Sequence, residues 1–130
     1  MAPTLTRAGE RYGVVVDSPL EPTVDLALDE AQVSLTRDLF GDSYADTLVT
    51  WQETSEADLD RLRDAIAAGR LDEAAEAAHS VKGAALNLGA TSLADAALAV
   101  ETATDLPDPG VVDELRRLLA SSVAALTPTR

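Results

Sequence analysis

The 130-residue chain contains no cysteine, one histidine, one lysine, one tryptophan and one phenylalanine. Without cysteine there is neither a disulfide framework nor a thiolate zinc site, and a reducing compartment is no obstacle to folding. Scarce aromatics leave the core to Ala, Leu and Val. Positive charge is also scarce: the formal net charge is −13, so phosphate backbones and anionic lipid surfaces repel most of the surface. Neither nucleic acid nor membrane is therefore expected as a partner. The opening MAPTLTRAGERYG lacks the apolar stretch of a signal peptide, and no run approaches the roughly 20 apolar residues of a membrane span. The expectation is a cytoplasmic, monomeric protein.

What is present reads as helix. Apolar residues make up 46% of the sequence, enough for one compact domain with its own core, and Ala and Leu favour helix. Pro3, Pro19 and Pro22 argue against a long helix in residues 1–24, which are expected to be irregular; within them Tyr12 to Val16 is a short apolar run. Residues 25–127 are expected to form the domain. Asp29 and Gln32 have capping-box spacing before a first helix with Leu28, Ala31, Leu35 and Leu39 recurring on one side, closed by Gly41.

Asp42 or Ser43 can cap a long second helix carrying Leu48, Trp51, Ser55, Leu59, Leu62 and Ile66 on one face, up to Gly69. A third spans about Leu71 to Leu88, with Leu71, Ala74, Ala78, Val81, Ala85 and Leu88 on its core face and Gly89 closing it. A fourth runs from about Thr91 to Thr104, with Leu93, Ala97, Val100 and Thr104 inward. Asp108 and Pro109 open a fifth through Val112, Leu115, Leu119, Ser122 and Leu126. Short loops between four long amphipathic helices predict an all-α, antiparallel up-and-down four-helix bundle with an additional N-terminal helix. The acidic clusters Glu53 to Asp60 and Asp72 to Glu76 are expected to solvate outer faces.

The one histidine and the one lysine are three residues apart, His79 and Lys82, followed at once by Gly83. Residues three and four apart share a helix face, and His79 lies about 100° round from Ala78, on the flank of the core. Lys82, Gly83 and Leu86 continue that stripe. A neutral imidazole, with an unperturbed pKa of about 6.5, is a competent nucleophile near neutrality, and an ammonium one turn away supplies donors for phosphoryl oxygens. Glycine inside a helix costs roughly 1 kcal/mol against alanine, so Gly83 reads as a gap for a close-approaching partner. Residues 83 to 94 carry no charge, and Leu86 and Asn87 are expected to be reachable as a small docking patch.

The run His79-Ser-Val-Lys82-Gly83-Ala-Ala-Leu-Asn-Leu-Gly89-Ala90, followed by Leu93 and Glu101, resembles the signature of histidine-containing phosphotransfer domains, with similarity from about 25 to 127. That resemblance implies phosphorylation of His79, assistance by Lys82, receiver docking over Gly83, and Glu101 on the next helix bonding the other ring nitrogen. Ala84 stands where the pattern often has a hydroxyl residue. The expected function is a carrier in a multistep phosphorelay, taking a phosphoryl group from a receiver aspartate or a histidine kinase and passing it to a response-regulator receiver. It is not expected to be an enzyme: no glycine-rich nucleotide loop is present, and no cofactor is required beyond Mg2+ in the partner receiver. Met1 and the short tails favour a free-standing protein.

Two rival readings use the same residues. A helical module that binds and inhibits a receiver or kinase without accepting phosphate would need neither His79 nor Lys82. Glu76 and His79 also have the Glu-x-x-His spacing of di-metal carboxylate bundles, but the chain has no second histidine, so only a symmetric dimer could complete that site.

Overall fold

The computed structural model describes residues 26–128; the expectations for 1–24 and for Tyr12 to Val16 lie outside the described residues. Five α-helices follow in order: α1 Glu30–Phe40, α2 Tyr44–Ala67, α3 Leu71–Leu88, α4 Thr91–Glu101 and α5 Gly110–Leu126. A 3-10 turn, Gly41–Ser43, joins the first two. Helices α2 to α5 pack as a ring in which each touches the next and α5 returns to α2, while α1 leans on α2 and α3. This is the all-α bundle with an N-terminal helix.

The long helices bury the faces that their spacing marks. Leu48, Trp51, Ser55, Leu59, Leu62 and Ile66 of α2 are buried, as are Ala74, Ala78, Val81, Ala85 and Leu88 of α3 and Val112, Leu115, Leu119, Ser122 and Leu126 of α5. Ala77, 0% exposed, joins them on α3 and lets the neighbouring helices come close. At the start of α5, the Asp108 carboxylate accepts from the Gly110 N–H at 2.7 Å.

Three details depart from expectation. The stripe Leu35 and Leu39 of α1 faces outward, 58% and 73% exposed, and the helix instead buries Val33 and Thr36. Asp29 does cap α1, accepting from the Gln32 N–H, but the Gln32 side chain donates to the Asn87 carbonyl at 2.8 Å instead of closing a capping box. Helix α4 stops at Glu101, so Thr104 is outside it and exposed; the Thr102 hydroxyl bonds back to the Leu98 carbonyl as the chain turns towards Pro107.

The acidic cluster on α2 is not wholly solvated either. Asp58 is buried, and burial pushes its carboxyl above the ordinary range against the opposing pull of Arg61, whose guanidinium is 2.8 Å away. Glu56 and Asp60 both pair with Arg116 of α5, tying α5 to α2.

Gly89 sets where α1 sits. It closes α3 at φ +84°, a left-handed conformation that disfavours a side chain, and its carbonyl accepts from the Asp29 N–H at 2.9 Å. A Cβ there would stand 2.8 Å from Val33 Cγ2 and 2.9 Å from the Asp29 carbonyl oxygen. Gly89→Ala is therefore expected to destabilise the domain by about 2 kcal/mol or more, combining left-handed strain with overpacking. Urea unfolding measures it; an unchanged midpoint would remove this packing account.

Candidate functional site

Helix α3 presents its exposed flank against the end of α4. His79 stands on that flank with its side chain 65% exposed, whereas Lys82 and Glu101 are about three-quarters covered, at 22% and 23%. Because α4 ends at Glu101, its carboxylate sits at the negative end of the helix dipole, an unfavourable place for an anion without compensation. Two groups from α3 provide it. Glu101 Oε2 lies 2.7 Å from His79 Nδ1, and Oε1 lies 2.7 Å from Lys82 Nζ.

The carboxylate therefore bridges the imidazole and the ammonium. Lys82 first, then His79, hold the Glu101 carboxyl below its ordinary value of about 4.5, so it is ionised at neutral pH. An ionised carboxylate only accepts hydrogen bonds, which makes Nδ1 the donor. In the neutral ring the single proton is then on Nδ1, and the lone pair on Nε2 is free. The exposed edge of the ring thus presents the Nε2 lone pair to solvent in a fixed tautomer.

A depressed carboxylate pKa gives a definite pH sign. The stabilisation is complete above the unfolded-state value near 4.5 and is lost as pH falls through the lower folded-state value. Glu101→Gln is expected to flatten the acid limb of stability against pH. Glu101→Ala, which leaves no acceptor for Nδ1, should shift neutral His79 away from the Nδ1–H tautomer, as read by long-range proton–nitrogen NMR; an unchanged tautomer would mean that Glu101 does not set it.

Around this triad the surface is open and partly apolar. A Cβ built on Gly83 meets no atom within 4 Å, so the fold itself has room for a side chain there. Leu86 is 52% exposed and Asn87 is also exposed. Ala84 lines a groove between α1, α2 and α3. The structure thus brings His79, Lys82 and Glu101 into contact and places Gly83, Leu86 and Asn87 along the same helix.

Two features escaped sequence reasoning. Leu98, 43% exposed, stands one turn before Glu101 and adds an apolar group on the α4 side, a position readable from the i, i+3 spacing. The engagement of Lys82 by Glu101 had no local signal, because it joins two helices. Among the described residues, no group of three or more His, Cys, Asp or Glu is placed to hold a metal ion, and no helix is long and apolar enough to cross a membrane.

No curated protein matches the sequence. Residues 46–125 match the family model of the Hpt domain, a span that takes in nearly all of α2, all of α3 and α4, nearly all of α5 and all three members of the bridged site. With well over half of the chain matched, the protein belongs to the Hpt domain family, whose members take part in histidine phosphotransfer within phosphorelays and interact with receiver domains and histidine kinases.

Proposed function

We propose that this chain is a phosphocarrier in which Nε2 of His79 accepts a phosphoryl group from a receiver aspartyl phosphate or a histidine kinase and passes it to a receiver aspartate. The observation that supports this most is the exposed imidazole whose Nδ1 is 2.7 Å from the Glu101 carboxylate. When Nε2 attacks the phosphorus of an acyl phosphate, an N–P bond forms, the P–O bond breaks and the aspartate leaves as carboxylate. The Nδ1 proton stays in place, so the ring gains positive charge next to Glu101. In the forward transfer the next aspartate attacks phosphorus and the N–P electron pair returns to Nε2. Any Mg2+ that the transfer requires would be held in the receiver's acidic pocket rather than by this chain.

Lys82 Nζ is 2.7 Å from Glu101 Oε1, and an ammonium carries three N–H donors, more than one such ion pair can use, so donors remain for phosphoryl oxygens. A new dianionic group competes with Glu101 for that ammonium. Lys82→Ala is expected to slow transfer about tenfold, as loss of one charge-assisted bond implies, and to shorten the life of the phosphohistidine. Rapid-quench transfer assays measure both, and unchanged kinetics would take Lys82 out of the site. Gly83, Leu86 and Asn87 form the surface on which the receiver docks in this reading.

The test of the function is to mix the purified chain with a receiver phosphorylated on its aspartate. The expected product carries acid-labile, base-stable phosphate. A module that binds receivers without accepting phosphate would give a complex and no label.

A further inference from the structure

The two halves of the proposed transfer make different demands on the His79 ring. Acceptance needs a free lone pair on Nε2, which the Nδ1–H tautomer provides. Donation needs the ring to be expelled: the attacking aspartate oxygen forms an O–P bond, the N–P bond breaks and its electron pair returns to Nε2. With a proton on Nδ1 the ring leaves as neutral imidazole. Without it the pair must leave on an imidazolide anion, a far poorer leaving group. Whether Nδ1 keeps its proton after phosphorylation therefore decides how readily the carrier discharges.

Glu101 is placed to hold that proton, with Oε2 2.7 Å from Nδ1. Orienting the ring would need only a neutral acceptor such as an amide. The end of α4 is where a carboxylate is least favoured, because the carbonyls of the last turn already carry a partial negative charge. A full charge there does what an amide cannot: with the helix end, it stabilises a cationic ring. We infer that the Glu101 carboxylate keeps Nδ1 protonated after phosphorylation, so that His79 is expelled as neutral imidazole, and thereby sets the upper pH at which the carrier discharges. This role rests on phosphoryl acceptance by Nε2 of His79, and it makes Glu101 a positioning residue that acts through the ring.

The neighbouring charges support this division of labour. On α3, Lys82 lies one turn after His79 and Glu76 one turn before it, but Glu76 lines a separate cleft with Arg61 and Asp64 of α2. Asp58 of α2 is taken up by Arg61, and Asp95 of α4 is exposed. Among the described residues, the ion pairs at the ring are those of Glu101 with His79 and with Lys82. Lys82, 2.7 Å from Oε1, partly neutralises the carboxylate before acceptance. A phosphoryl dianion on Nε2 draws on the same ammonium, so Oε1 loses its counter-ion and more of the carboxylate charge acts on the ring. The carboxylate is thus unmasked by the reaction whose product it must keep protonated.

Loading His79 with phosphoramidate gives the phosphorylated full-length chain without a receiver. Proton–nitrogen NMR of the phosphohistidine ring from about pH 6 to about pH 9 reads protonation of Nδ1. Loss of phosphate to water and to an unphosphorylated receiver reads expulsion of the ring. The parent ring is expected to lose its proton at least about one pH unit higher than the ring of Glu101→Gln, whose amide accepts from Nδ1–H but carries no charge. Discharge of the variant should be about tenfold slower at the alkaline end, with the gap closing as pH falls. Coincident midpoints overturn the inference. So does a loss of discharge that is the same at every pH, which marks orientation alone, and so does failure of His79 to load from phosphoramidate. A parent that loads and shows the higher midpoint, yet exchanges no phosphate with a receiver, keeps this role for Glu101 and sinks the phosphocarrier reading.

Discussion

His79→Gln is expected to lower phosphoryl acceptance to background, at least about 1,000-fold, while leaving the domain folded. An amide nitrogen has its lone pair delocalised into the carbonyl, so glutamine offers no nucleophile at the position of Nε2. Its N–H can still donate to Glu101, and Lys82 remains paired with the other carboxylate oxygen. Because the His79 side chain is 65% exposed, the change in stability should stay within about 0.5 kcal/mol. Receiver binding should be nearly unchanged, since no docking residue is altered. The measurement is acid-labile label after mixing with phosphorylated receiver, alongside circular dichroism and receiver affinity. Label persisting at the wild-type level would move the acceptor elsewhere in the chain.

The contrast between α1 and the longer helices shows what a sequence pattern can carry. In α2, α3 and α5 the apolar residues lie on one face of a helix long enough that only one side can be buried, and Leu59, Val81 and Leu119 are fully covered. In α1 the larger apolar residues, Leu35 and Leu39, are on the side that faces out. Its orientation follows from contacts distant in sequence: Val33 against Gly89 and Gln32 against Asn87. Periodicity identifies a stripe but does not say which neighbour covers it. The same limit applies at the site. The scarcity and spacing of His79 and Lys82 were visible in the chain, and so was Gly83 as a costly residue in a helix. The bridge made by Glu101 depends on α4 ending opposite His79, which no local pattern specifies.

Gly83→Gln is expected to improve the fold and impair the function, and this opposition makes it the more discriminating substitution. Two glycines of the same run behave differently in the structure. Gly89 has a positive φ and backbone and side-chain atoms within 3 Å of a prospective Cβ, whereas Gly83 is inside α3 with nothing within 4 Å. No feature of the fold requires glycine at 83. Replacing it should stabilise the helix by about 0.5 to 1 kcal/mol and raise the melting temperature by roughly 2 to 8 °C. The new side chain would project one turn beyond His79, where a receiver must bring its aspartyl phosphate to within about 3 to 3.5 Å of Nε2. Transfer is expected to fall at least tenfold, about 1.4 kcal/mol of transition-state stabilisation, with most of the loss in receiver affinity. Gly83→Ala, with a methyl group only, should share the stabilisation and lose less transfer. If both variants melted higher and transferred at the wild-type rate, the gap at Gly83 would have no role in bringing the partner close.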